Sequence, residues 1–360
     1  MTTDTPGSVR VERHAVESKH ERAIPGRPFP LRLRAFALRS GRTGVFHALL
    51  LTVFLAGGAV AQSYPSRPVR VIVNFPPGAG VDITTRLVTG KVSEALGQQF
   101  LVDNRAGAAG NIGIEIASRA APDGYTILAA TAAAAVSQTV FSKIPFDLVR
   151  DFTPIAMMAS APFVLAVHPT VQAKSLQELL ALAKAKPGQL SYATPGTGSS
   201  PHLAGELLKI LSGTDILHVP YKGMVPAATD VMGGNVPILF GNSLVVLPAA
   251  RSGKLRALAI TSPRRSSVAP ELPTIAESGF PGFESGTWYG LMAPARTSRD
   301  ITTRLNAAVV KAVQLPDVRD KLHAQGAEPI IMTPEQMGDF VRGEIAKWGK
   351  VAKAANIRVE

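Results

Sequence analysis

Residues 69–88 read VRVIVNFPPGAGVDITTRLV. The first seven, Val69–Phe75, are rich in β-branched residues and have the length of a strand. Pro76–Asp82, PPGAGVD, is a proline- and glycine-punctuated loop. Beyond it Ile83, Leu87, Val88, Val92 and Leu96 recur at helical spacing and share one face. Strand, glycine loop and helix in direct succession form the repeating unit of an α/β fold.

The same alternation continues outward. Tyr125–Ala130, Phe163–Val167, Leu190–Ala193, Ile216–Val219, Val236–Phe240, Arg256–Thr261 and Trp288–Met292 read as further strands, with amphipathic helices between them. Ser175 and Glu178 have capping-box spacing, and Thr333, Pro334 and Gln336 open a last helix whose apolar face is Met337, Phe340, Val341, Ile345 and Trp348. The pattern predicts an α/β architecture with mainly parallel sheets. Such sheets bind ligands at the carboxyl ends of their strands.

A second glycine loop, ATPGTGSSPHL (Ala193–Leu203), follows the strand Leu190–Ala193, with Ser200 as a cap and Pro201 at the first helical position. The unpaired N–H groups and dipole of a helix N-terminus favour an anion. Either loop alone also fits an ordinary strand–helix connection. One in each half of the chain suggests two lobes, each offering a jaw.

Competing chemistries lack their residues. Ile83 stands where a dinucleotide fingerprint needs its third glycine, and no Gly-Lys-Ser/Thr follows either loop. Gly107, Gly110 and Gly113 are spaced for turns. The chain has no cysteine, and His168, His202, His218 and His323 show no metal-ligand spacing. Ser199 and Ser200 lie beside His202 without a nucleophile elbow. Asp82 suits the first turn of a helix, where an acid complements the dipole. Neither a catalytic constellation nor a cofactor is expected.

Composition agrees with a two-lobed binding protein. The 360 residues are 46% hydrophobic and only 6% aromatic, with 32 glycines and 28 prolines. Of the net charge of +12, residues 1–61 carry +5, and the remaining +7 is scattered without basic runs, so no nucleic-acid partner is expected; a basic surface instead favours anion encounter. Arg27, Arg32, Arg34, Arg39 and Arg42 precede the apolar run Val45–Val60, and Ala59-Val60-Ala61 has the A-x-A cleavage pattern. Residues 1–61 are therefore expected to be a signal segment cleaved after Ala61, with an n-region long enough to suggest a start placed too far upstream. The mature protein would be periplasmic.

Several stretches together resemble the Bug family, the periplasmic receptors of tripartite tricarboxylate transporters: YPSRPVRVIVNFPPGAGVD, NRAGAAGNIG, APDGYTIL, PYKGMVPAATDVMGGNVPILF, GKLRALAIT, PTIAESGFPGFES, WYGLMAPA and GAEPIIMTPEQM. They run in order over nearly the whole chain after residue 61. The resemblance implies a type II periplasmic-binding fold, with lobe one at 62–166 plus 289–360, lobe two at 167–288, and crossings at Phe163–Val167 and Trp288–Met292. It further implies a monomer that captures a small carboxylate (a di- or tricarboxylate, an aromatic acid or an acidic amino acid) for a membrane permease. The positions matching the family's binding loops are Pro77, Gly78, Ala79, Asp82, Thr131, Ala132, Gly198, Ser199 and His202, with Tyr221 and Asn242 at the rim.

This chain departs from the family pattern at three places. Ala79 replaces the second glycine of a pair, which would cost about 1–2 kcal/mol if that position were left-handed. Ala132–Ala135 is poor in hydroxyls and implies a drier wall, and Asn242 lacks an acidic neighbour for a ligand ammonium. Four hydrogen bonds to a carboxylate supply about 6–12 kcal/mol. Immobilising the ligand costs at least about 4, so micromolar binding calls on lobe closure as well. Two other readings remain at this point: a sensory adaptor for a membrane kinase, and an exported hydrolase using Ser199 or Ser200.

Overall fold

A computed structural model describes residues 64–359; the signal segment expected over 1–61 lies outside them. Strand β1 (Val69–Val73) leads to helix α1 (Gly80–Leu96), strand β2 (Phe100–Asn104), helix α2 (Asn111–Ser118), strand β3 (Thr126–Thr131) and helix α3 (Ala132–Val140). The long strand β4 (Phe152–Val167) follows. Then come α4 (Leu176–Ala185), β5 (Ser191–Thr194), α5 (Ser200–Ser212), β6 (Leu217–Pro220) and α6 (Met224–Met232). Strand β7 (Ile238–Asn242), α7 (Ser243–Arg251), β8 (Arg256–Ile260) and β9 (Gly286–Pro294) complete the sheet's main path. Helices α8 (Arg299–Gln314) and α9 (Pro316–Ala324), the short strand β10 (Glu328–Pro329) and α10 (Pro334–Ala354) close the chain.

The strands lie in the order β2-β1-β3-β9-β4-β7-β5-β6, with β8 and β10 also paired to β4. Within each half the pairing is parallel: β1 with β2 and β3, and β5 with β6 and β7. The centre is antiparallel, which corrects the mainly parallel expectation. Strand β9 runs against β3 and β4, and β4 against β7 and β8. A chain that crosses between halves must also return, and its returning strands oppose their neighbours.

One strand joins the halves. From Phe152 to Pro162, β4 pairs with β9; from Phe163 to Val167 it pairs with β7, Phe163 facing Asn242. Pro162 has no N–H to offer a ladder, so the change of partner falls where a proline is tolerated. Thr261, fully buried, stitches this junction. Its hydroxyl accepts from the Phe163 N–H (2.8 Å) and donates to the Ser285 carbonyl (2.6 Å).

Each half is sheathed on both faces by apolar side chains. In the first half, Val71, Val88, Leu291 and Val309 pack on one face, and Ile72, Leu128, Met157, Trp288 and Val341 on the other. In the second, Leu165, Leu179 and Phe240 oppose Val164, Leu239, Val246 and Ile260. A fifth cluster of Val136, Val140, Leu203, Trp348 and Val351 ties α3, α5 and α10 together.

Helix ends follow the sequence signals closely. Thr333 and Gln336 form a reciprocal capping box with Pro334 inside it. Ser175 accepts from the Glu178 N–H, but the Glu178 carboxylate reaches back to Lys174 rather than to Ser175. Met337, Val341 and Trp348 of α10 are buried as expected.

Candidate functional site

A cavity of about 440 Å³ opens at the carboxyl ends of β1, β3, β5 and β7. The residues that begin five helices line it: Ala79 before α1, Thr131 before α3, Ser199 before α5, Gly223 before α6 and Asn242 before α7. No lining residue carries a formal charge. Free N–H groups of first helical turns, and the positive ends of the dipoles, therefore set its potential. Phe75, Phe141 and Phe163 supply apolar wall between these polar ends.

The first loop is held by a bracket behind it. Gly78 takes a left-handed φ of 82°, and its N–H donates to Asp82 Oδ2 at 2.9 Å. Asp82 Oδ1 accepts from Arg86 Nε and Asn104 Nδ2, each at 2.9 Å, and the Asn104 amide also holds the Phe75 carbonyl at 3.0 Å. Burial opposes ionisation of Asp82, yet the Gly78 N–H, the Asn104 amide and Arg86 together keep its carboxyl below the usual value. Ala79 is extended (φ −67°), so replacing glycine there carries no left-handed cost; the strained position is Gly78 itself. Gly80 has a steric reason. A Cβ on it would meet the Tyr289 hydroxyl oxygen at 2.4 Å, and that tyrosine forms part of the cavity wall. Burial pushes the Tyr289 phenol up to about 12, with Thr287 acting in the other direction, so at neutral pH it is a hydrogen-bond donor.

The second loop repeats the device with other residues. Gly198 is left-handed (φ 73°) and donates its N–H to His202 Nδ1 at 3.0 Å. The Ser199 hydroxyl donates to the Gly196 carbonyl (2.7 Å) and accepts from the His202 N–H (3.4 Å), so its proton is committed within the loop. His202 stacks on His218 with ring centroids 3.7 Å apart, and His218 Nε2 lies 2.6 Å from Thr194 Oγ1. Burial, then the Lys209 charge, lowers His202 to about 4; burial, then His202, lowers His218 to about 3. A neutral His202 occupied by a backbone N–H is not a general base for Ser199 or Ser200, which disposes of the hydrolase reading on geometry.

Of the residues singled out from sequence, the structure brings Ala79, Thr131, Gly198, Ser199 and Asn242 to the cavity wall. Pro77 and Gly78 lie exposed beside it. Asp82 and His202 sit behind the loops as brackets. Ala132 is fully buried in the core, and its neighbour Ala133 faces the cavity instead. Tyr221 turns its hydroxyl to the Asp230 carboxylate and donates its backbone N–H to the Thr194 carbonyl, bracing the β5 end. Tyr289, Thr287, Ser137 and the three phenylalanines were not singled out as site residues. The WYGLMAPA stretch carries Tyr289, but only strand alternation on β9 shows which of Trp288 and Tyr289 faces the cavity.

Two α/β halves joined through β4, with a cavity free of charged side chains at their strand ends, have the architecture of a solute-binding protein of the periplasmic type. Residues 84–357 match the family model described as the tripartite tricarboxylate transporter family receptor, and the chain belongs to that family. It is a solute-binding receptor and not an enzyme. Among its relatives, Protein BugT of Bordetella pertussis is 39% identical over 319 residues, covering 88% of this chain and 97% of the relative. The solved structure of Rpa4515 from R. palustris with adipate is 35% identical, with a TM-score of 0.72, covering 82% of this chain and 99% of that one. MatC (Rpa3494) from Rhodopseudomonas palustris with bound malate is 32% identical, with a TM-score of 0.68, covering 80% and 99%.

Proposed function

We propose that this receptor captures a small carboxylate in the cavity between its sheet halves and delivers it, in the periplasm, to a tripartite tricarboxylate-type permease. The observation that carries the ligand class is the meeting of five helix N-termini on one wall without a charged side chain. Backbone N–H groups of α1 and α3 on one side, and of α5 and α7 on the other, hold carboxylate oxygens; the phenylalanines take the ligand's hydrocarbon body. Solved relatives with adipate and malate bound support a di-acid, and the family supports the permease.

In this reading the sheet halves are the lobes, and they meet at Pro162–Phe163 and near Gly286 rather than at 166 and 288. The protein works as a monomer, since one chain supplies both jaws. Native mass spectrometry of the purified protein should show a retained acid, and calorimetry should show adipate or malate binding at micromolar strength. Adipamide should bind at least about tenfold more weakly, because hydrogen bonds to a charged acceptor exceed those to a neutral one by about 1 kcal/mol or more. Equal binding of acid and amide would remove the anion reading.

A further inference from the structure

The chain has five tyrosines, and four of them commit their hydroxyl inside the protein. Tyr64 donates to the Gly124 carbonyl at 2.6 Å, Tyr125 shares a 3.0 Å hydrogen bond with the Ser66 hydroxyl, Tyr192 donates to Glu206 at 2.6 Å, and Tyr221 donates to Asp230. The fifth, Tyr289, is only 9% exposed, yet its hydroxyl has no hydrogen-bond partner among the described residues. Its oxygen is also absent from the buried polar atoms that are sealed from solvent, and the residue lines the carboxylate cavity. The surface this hydroxyl keeps therefore opens on that cavity. A buried phenol normally finds a partner, and one left free at a cavity wall is completed by what enters the cavity.

The hydroxyl's position narrows what it meets. On β9, Tyr289 lies opposite Thr131 of β3, the residue before α3. Its side chain reaches toward β1, the strand on the far side of β3. There a Cβ on Gly80, the first residue of α1, would fall 2.4 Å from the hydroxyl oxygen, so glycine at this position leaves the room that the hydroxyl occupies. The phenol thus ends beside the first turn of α1, where free N–H groups and the dipole favour an anion. Thr287, two residues back on the same face of β9, favours the phenolate, but burial outweighs it, so the phenol keeps its proton.

We propose that Tyr289 is a ligand-contacting residue that sets specificity for the acid, its hydroxyl donating to the carboxylate oxygen held at the start of α1. The proposal rests on the carboxylate reading above and adds one side-chain donor to the backbone ones. A neutral donor suits a wall without charged side chains, because it holds the anion without an opposite charge. Its hydrogen bond to a carboxylate is stronger than one to a neutral amide oxygen, so the contact sharpens the preference for an acid over its amide.

Calorimetry with adipate or malate, whichever the wild type binds more tightly, and with the corresponding diamide tests the contact. Tyr289→Phe keeps the ring and removes only the oxygen. It should weaken the acid about tenfold and the diamide at most about twofold. The melting temperature of the unliganded variant should stay level or rise, since an unpartnered donor is lost. Gly80→Ala, which displaces the hydroxyl, should weaken the acid in the wild type, whereas the double variant should bind it as Tyr289→Phe does. Equal binding of acid and diamide by the wild type, or binding of neither, removes the carboxylate reading and this contact with it. Where the wild type prefers the acid, the contact alone is overturned if Tyr289→Phe binds the acid at wild-type strength or weakens acid and diamide by the same factor. A lower melting temperature of unliganded Tyr289→Phe also overturns it, because the hydroxyl would then have a partner inside the protein.

Discussion

Gly78 and Gly198 occupy equivalent places in the two jaws, and each gives its N–H to a side chain four residues further on. For Gly78 the acceptor is Asp82 Oδ2 and for Gly198 it is His202 Nδ1. Turning these N–H groups inward uses two donors but fixes the loops that lead into the helix starts. The His202 bracket requires Nδ1 unprotonated. The ring's folded value of about 4 lies below the ordinary value of about 6.5, so between them the unfolded chain binds more protons. Stability from this group is therefore complete above about pH 6.5 and is lost as pH falls toward about 4. His218, lowered to about 3, extends the loss further into acid. Melting temperature measured against pH should fall across that window. The fall should be shallower in His202→Asn, whose amide oxygen can still accept from Gly198 without titrating. An unchanged slope in the variant would show that the histidine's charge plays no part.

In the proposed reading helices are the functional elements of this site, because their first turns supply its donors. Two of the five starts were legible: PPGAGVD and TPGTGSS advertise themselves with glycine, proline and a capping serine. Gly223 at the start of α6 was not singled out, and the starts of α3 and α7 were named only through the family resemblance, for a physical reason. Thr131 ends β3 and Asn242 ends β7 with no loop residue before the helix, so no turn signature marks either junction. Strands with little patterning were missed similarly: β2 is an edge strand with Leu101 exposed, and β10 has two residues. Prolines at 154 and 162 hid the first part of β4. The helix-start account makes a prediction with opposite signs. Ala133 sits in the first turn of α3 and faces the cavity. An aspartate there complements the dipole and should stabilise the fold by about 0.3–1 kcal/mol. The same carboxylate occupies the ligand's place and repels it, so Ala133→Asp should raise the melting temperature yet lower acid affinity at least about tenfold, roughly 1.4 kcal/mol. Calorimetry and thermal unfolding of one preparation test both halves. Unimpaired binding would mean that α3 does not serve the anion.

Across the whole molecule, charge and site are kept apart. Beyond the expected signal segment the chain carries a net +7, while the cavity wall carries none. The crossing segments were expected only through the family resemblance, and the antiparallel pairing of β4 and β9 and the change of partner at Pro162 depend on register between distant segments, which no local pattern encodes. The separation of charge from site has a kinetic consequence. Dispersed positive charge acts at long range and raises the rate at which an anion finds the cleft. In the proposed reading short fixed dipoles at the cavity wall determine how long it stays. Salt shortens the Debye length from about 30 Å at 0.01 M to about 3 Å at 1 M, which cancels steering but barely reaches buried N–H contacts. Stopped-flow measurements with adipate should therefore show the association rate falling severalfold over that range while the dissociation rate stays nearly constant. A ligand held by an exposed side-chain cation would behave differently, because salt would weaken the bound complex as well. A dissociation rate that climbs with salt in step with the falling association rate would place a charged side chain, rather than the helix starts, on the carboxylate.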